Sequence, residues 1–111
     1  MKNMMKGNRL IRENQAQAIK GAVSSSNLPT IVAGDFNALP LSKVYNTIKG
    51  SRMKDAFLEK GSGKGATYRM LKDLLRIDYI LHDKTIRCKS FEVIGTDMSD
   101  HRMITATLSL Q

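Results

Sequence analysis

Only one cysteine, Cys88, occurs in the 111 residues, so no disulfide can form within the chain. Set between Ile86 and Phe91, it reads as a structural thiol in a strand rather than a nucleophile. No apolar run reaches the roughly 18 residues of a membrane-spanning helix, and Met1 to Lys6 lack the apolar stretch of a signal peptide. The default expectation is therefore a soluble, cytoplasmic protein with no membrane partner. Acids are also scarce: Asp and Glu number 10 against 18 Lys and Arg, for a formal charge of +8. Such an excess draws anionic partners, which suits phosphate-bearing ligands, nucleic acid among them, although basic side chains also serve solubility alone. What remains, 41% hydrophobic and 25% charged residues, is the balance of a folded globular chain. The length gives room for one domain, residues 1–111, and not for two.

From Arg9 to Val23, after Asn8, the residues Leu10, Ile11, Ala18, Ile19, Ala22 and Val23 fall on one helical stripe, which predicts an amphipathic helix. Residues 1–7 ahead of it read as disordered or tag-like. Ser24 to Asn27 end the helix, and Pro29 leads into Thr30-Ile31-Val32-Ala33, an apolar β-branched run expected to form a buried strand. Ser42 can cap a short helix carrying Val44, Tyr45 and Ile48, with Gly50 as its stop. Met53, Ala56 and Phe57 belong to a further helical turn or strand. Gly61 to Gly65 is expected to be a flexible basic loop. Its likeness to a P-loop fails because Gly65 follows Lys64, position 58 is Leu58, and no strand leads in. Arg76–Leu81 and Ile86–Ile94 read as neighbouring antiparallel strands joined by the His82-Asp83-Lys84 turn. Met103–Leu110 alternates Ile104, Ala106, Leu108 and Leu110 against Thr105, Thr107 and Ser109, and closes the sheet. The fold class is α/β (α+β), one β-sheet with helices on one face.

Three polar groups interrupt or end the apolar strands: Asp35 with Asn37, Asp78, and Asp100 with His101. Carboxylates at such places are costly unless paired, hydrogen-bonded or bound to a metal, and one shared site would account for all three. If the chain stays extended, Asp35 and Asn37 project to one side while Phe36 turns into the core. An aspartate is a hard oxygen ligand or a base for water, and an asparagine donates to a phosphoryl oxygen without repelling it. Gly-Asp-Phe-Asn is equally the composition of a turn. Asp100 and His101 lie in a loop ahead of the last strand, and Asp78 is the candidate acid to fix the imidazole tautomer. His82, in a turn beside Asp83, reads as an ordinary histidine.

Ile31-Val32-Ala33-Gly34-Asp35-Phe36-Asn37-Ala38 resembles the strand and Gly-Asp-Phe-Asn signature of the endonuclease/exonuclease/phosphatase family. Arg76-Ile77-Asp78-Tyr79-Ile80-Leu81 resembles its Arg-Ile-Asp-Tyr-Ile strand, and Ser99-Asp100-His101 its closing Ser-Asp-His. Three short motifs in order weigh far more than any one of them. The resemblance implies a divalent-metal-dependent phosphoester hydrolase, a phosphodiesterase, nuclease or phosphatase, with catalytic residues Asp35, Asn37, Asp78 and His101. Asp35 and Asp100 would bind Mg²⁺ or Mn²⁺, and Asp35 or His101 would be the base. Beside the resemblance, Tyr68 and Arg102 are candidates to touch the phosphate-ester substrate, with core packing an equal account of Tyr68 and drift of Arg102.

The resemblance covers only the C-terminal half of such a domain, half of a four-layer α/β sandwich. It implies that a metal-binding glutamate comes from the other half, since Glu13, Glu59 and Glu92 lie in the wrong contexts. Arg102 also departs from the proline or small apolar residue common after the histidine. A sheet without its partner would bare an apolar face, so a homodimer, or association with a separate N-terminal half, is expected. The alternative function is a catalytically inactive basic module that binds nucleic acid or a partner protein.

Overall fold

The computed structural model describes residues 2–68, 75–95 and 100–111, with side chains from residue 9 onward. Helix α1 runs from Lys2 to Ser24, beginning well before the expected start after Asn8. Its buried stripe also differs from the expected one. Ala16 and Val23 are buried with Ile19 packed beside them, whereas Leu10 and Ile11 are exposed. The positions facing the core, 12, 16, 19 and 23, recur at spacings of three and four, so the helix is rotated from the stripe of largest residues. Leu10 and Ile11 precede the first half-buried residue, Arg12.

One side chain gathers carbonyls from the last turn of α1 and from the loop just beyond it. The Arg52 guanidinium donates to Val23 O, to Ser26 O at 2.8 Å and to Leu28 O at 3.1 Å. Helix α2, Lys43–Lys49, begins and ends as its sequence predicts. Ser42 Oγ accepts from Tyr45 N, and Gly50, at φ 50°, donates its N–H to Asn46 O.

Three strands form an antiparallel sheet in the order β1 (Ile31–Asp35), β3 (Asp78–Asp83), β2 (Met53–Asp55). Val32 lies opposite Leu81, and Gly34 opposite Tyr79. This face carries the core, where Val32, Met53, Tyr79 and Leu81 meet Ala16, Val23, Val44, Tyr45 and Ile48 from α1 and α2. Leu81, with no exposure, contributes about 2 kcal/mol by leaving water. The mixed α/β arrangement with helices over one face of a sheet agrees with the sequence. On the opposite face of β1, Ile31 and Ala33 stay exposed.

Strand β4, Ile86–Ile94, does not pair with β3 as expected. It pairs instead with β5, Met103–Leu110, in a separate two-stranded ladder with a bulge between Cys88 and Ser90. Both edges of β3 are already taken by β1 and β2, so after the Lys84-Thr85 turn the chain has to start a new ladder. Ile104, Ala106 and Leu108 are half-buried as their alternation predicts, but Leu110, at the strand's end, is exposed.

The glycine loop is shaped by packing rather than by freedom alone. A Cβ on Gly61 would strike the Phe57 ring. One on Gly65, itself at φ 67°, would lie 2.6 Å from that ring and 2.9 Å from Arg76 Cδ.

Beneath it lies a buried polar cluster. Asp55 ends β2 and caps α3, Ala56–Lys60, by accepting from Phe57 N. Its other oxygen takes Arg76 Nη1 at 2.9 Å and Tyr45 Oη at 2.8 Å. The Arg76 guanidinium sits 4.6 Å from the Phe57 centroid and 4.9 Å from that of Tyr79. Burial first, then the bond to Asp55, pushes the Tyr45 hydroxyl up to about 12, so it stays a donor.

A second buried acid, Asp83, accepts from Thr30 N at 2.6 Å, from Thr85 N at 2.9 Å and from Thr85 Oγ1 at 2.5 Å, with Arg52 at 3.6 Å. Burial alone would raise this carboxyl; the bonds from Thr85 and Thr30 and the charge of Arg52 outweigh it, and its pKa falls below the usual carboxylate value.

Two predictions follow the buried acids. Asp55→Ala leaves Arg76 buried without its counter-charge and costs about 3–5 kcal/mol in urea unfolding; a cost under about 1 kcal/mol would contradict the pairing. Asp83, with its folded pKa depressed, contributes stability above the unfolded carboxylate pKa and loses it as pH falls through the folded one. The gap in stability between wild type and Asp83→Asn therefore narrows from neutral to acid pH, which chemical unfolding at the two pH values measures.

Candidate functional site

The antiparallel register sets Asp35, the last residue of β1, directly opposite Asp78, the first of β3. Cross-strand partners project to the same side of a sheet, so the two carboxylates share the face away from α1 and α2. His101, just ahead of β5, reaches the same point. Its Nδ1 is 2.6 Å from Asp78 Oδ2, and its Nε2 is 3.5 Å from Asp35 Oδ2. One ligand atom from each of Asp35, Asp78 and His101 falls within 4.8 Å of the others. A carboxylate can only accept, so Nδ1 carries the proton on the Asp78 side and Nε2 is directed to Asp35.

The imidazole is held above its ordinary pKa. The hydrogen bond to Asp78 is the main cause; burial opposes it, and the charges of Asp78, Asp35 and Asp100 add to it.

The segment after Asp35 is a turn. Asn37 adopts φ 49° and donates its N–H to Asp35 Oδ1 at 2.7 Å, so the expected extended presentation of Asp35 and Asn37 gives way to an Asx turn. Asparagine tolerates the left-handed region better than most residues. The turn remains beside the cluster, because Asn37 lines a cavity of about 400 Å³ together with Ala38, Leu39, Tyr68, Leu75, Ile77 and His101. Tyr68 stands edge-on to the imidazole, with centroids 4.9 Å apart.

The remaining expected residues lie at the margin. Asp100 is exposed and acts on His101 through its charge, but its oxygens are not in the 4.8 Å cluster, where Asp78 and His101 join Asp35 instead. Arg102 donates from Nη1 to Ala66 O at 3.1 Å and lines two open clefts beside the site. Ser99 lies outside the described residues. No glutamate reaches the cluster: Glu13 pairs with Lys43, Glu59 with Lys54, and Glu92 is exposed on β4. His82 is buried in β3, with Nδ1 donating to Asp83 O at 2.9 Å, and takes no part.

Sequence inspection missed Thr67 and Arg76. Arg76 stands in the quoted Arg-Ile-Asp-Tyr-Ile run, and its pairing with Asp55 is the kind that two lone charges in apolar context invite. Thr67 reads, with Tyr68, as the beginning of a strand near the site, but nothing in its sequence surroundings gives its hydroxyl a task.

The donor set suits a hard divalent cation in its carboxylate oxygens. Asp35 and Asp100 are exposed residues, whereas Asp78 Oδ2 accepts the short bond from His101 Nδ1.

The sequence profile of the endonuclease/exonuclease/phosphatase family matches residues 5–101. Comparison with proteins of curated function gives no match. Among solved structures, the fold resembles an endonuclease/exonuclease/phosphatase from Bacteroides vulgatus at 29% identity and TM-score 0.77, covering 90% of this chain and 44% of that one. It also resembles the Bacteroides thetaiotaomicron mannosyl-6-phosphatase at 19% and 0.74, covering 89% and 46%. The human Nocturnin catalytic domain, solved with a bound sulfate anion, matches at 22% and 0.69, covering 91% and 42%. The chain thus spans less than half the length of each of these structures.

The raised imidazole gives a direct check on the cluster. Because the folded pKa lies above the unfolded one, the His101–Asp78 pair stabilises the fold below the unfolded value, and that contribution is lost as pH rises through the folded one. In metal-free protein, NMR titration should place the His101 midpoint above that of an unfolded histidine, and Asp78→Asn should bring it down. An unmoved midpoint would argue against the pair.

Proposed function

The chain belongs to the endonuclease/exonuclease/phosphatase family, and we propose that it forms one wall of a divalent-metal-dependent phosphoester-hydrolysing site. The observation that carries this is the convergence of Asp35, Asp78 and His101 from three separate strand ends. Asp78 holds the imidazole tautomer, and the raised His101 pKa favours the imidazolium. A cation directed from Nε2 suits contact with an anionic phosphoryl oxygen, which leaves Asp35 to accept the proton of the attacking water. Asn37, which lines the same cavity as Tyr68, supplies a neutral donor to the phosphoryl group. Asp35 and Asp100 would hold Mg²⁺ or Mn²⁺, which when bound neutralises charge on the phosphate.

No glutamate stands at the cluster among the described residues, and β1 leaves Ile31 and Ala33 bare. Both features support a wall completed by further polypeptide or by a second copy laid on that face. A second reading, a non-catalytic module binding phosphate-bearing polymers, is favoured by the charge of +8.

Hydrolysis of bis(p-nitrophenyl) phosphate with Mn²⁺ should fall at least about 100-fold in Asp35→Ala and His101→Ala, the size of effect a positioned acid or base supplies. Mn²⁺ at about 100 times its Kd should stabilise the wild type by about 2.7 kcal/mol, and Asp35→Ala much less. Equal rates in all three proteins, with no metal-dependent rise in Tm, would sink the hydrolase reading. Binding to nucleic acid that weakens steeply with salt, without turnover, would favour the second.

A further inference from the structure

Thr67 has no exposure at all and lies outside the Asp35–Asp78–His101 cluster, yet it bonds the chain at Asp78 and next to His101, and through Ile77 it is linked to the chain next to Asp35. Its Oγ1 accepts two backbone N–H groups, from Ile77 and from Asp78, each at 3.1 Å. A hydroxyl oxygen has two acceptor lone pairs, so both are in use. The Thr67 carbonyl accepts the N–H of Arg102, the residue after His101, at 2.6 Å. Ile77 passes the constraint on, since its carbonyl accepts Phe36 N at 2.9 Å, one residue past Asp35. The Asp78 and His101 backbones arrive from different strands and share no ladder among the described residues; both are tied to Thr67.

From this geometry we propose that Thr67 is a positioning residue for the Asp78–His101 pair. Its hydroxyl fixes the start of β3, where Asp78 projects. Its carbonyl fixes the start of β5, where His101 projects. A short bond of 2.6 Å between Nδ1 and Oδ2 survives only if both backbones hold their places, because strength falls off steeply with distance and angle. The segment has a strong reason to stay put: without the hydroxyl, one buried and one part-buried N–H lose their acceptor, a cost that the rest of the site does not repay. The functional meaning rests on the hydrolytic reading above, but the positioning itself does not.

The test therefore uses a readout that needs neither metal nor substrate. In wild-type protein the His101 Nδ1 proton should resonate far downfield in the ¹H NMR spectrum, assigned by its loss in His101→Gln. Thr67→Ser keeps the hydroxyl and should keep this resonance, together with slow exchange of the Ile77 and Asp78 amides. Thr67→Val keeps the shape and removes the acceptor; the resonance should move upfield or vanish, and both amides should exchange at least ten-fold faster, while the β4–β5 amides stay protected. A Thr67→Val protein that retains the downfield proton overturns the proposal, as does a Thr67→Ser protein that loses it. If Thr67→Val does not fold, Thr67→Ser decides by the same two signals. Hydrolysis lost from wild type with these signals intact would count against the hydrolase reading and leave the positioning role standing.

Discussion

The arrangement depends on the buried bond between Asp55 and Arg76. Two charges drawn from β2 and from the approach to β3 have left water, and each is tolerable only because the other is there. The pair does more than cancel. The guanidinium is fixed between the rings of Phe57 and Tyr79, and Asp55 also caps α3 and receives Tyr45 from α2. The single Tyr79 hydroxyl proton is shared between two carbonyl acceptors, Ala38 O at 2.7 Å and Arg76 O at 2.9 Å, which links this cluster to the turn after Asp35. Asp78 follows Arg76 by two residues, so the carboxylate that orients the imidazole stands on this foundation.

The two faces of β3 divide the labour. Tyr79 and Leu81 lie in the helix-covered core, while Asp78 and Ile80 lie on the other face. A strand has a side-chain period of two, so slipping it by one residue would bury Asp78 among α1 and α2 and present Tyr79 to the site. Register is thus fixed from the core side, where an error is most costly, and the site inherits it.

Much of this was legible in the sequence where a residue's local surroundings decide its role. Ser42 and Gly50 bound α2 because capping is a property of a few adjacent residues. The alternation of β5 marked its buried side, and the three polar interruptions marked the site. Long-range facts were hidden. Nothing within 86–94 says that β3 has no free edge, so a hairpin was the natural expectation. The buried stripe of α1 could not be read from residue size, since small Ala16 and not Leu10 meets the core. Asn37 illustrates a third kind of ambiguity: turn and site were posed as alternatives, and the structure has the turn while leaving Asn37 on the wall of a cavity that His101 also lines. Thr67 was invisible because a lone threonine gains meaning only from the two amides that fold onto it.

The cluster draws Asp35, Asp78 and His101 from elements far apart along the chain, joined through strand pairings that close long loops. Contacts of this kind form late, after the entropy of loop closure has been met. Pieces such as α1 with α2 and β1, or the β4–β5 hairpin alone, hold no more than one of the three; β1 paired with β3 holds two, and His101 joins them only when the segment ahead of β5 docks. The three-residue cluster is therefore a property of the finished fold, and a chain still being made or already coming apart does not present it whole.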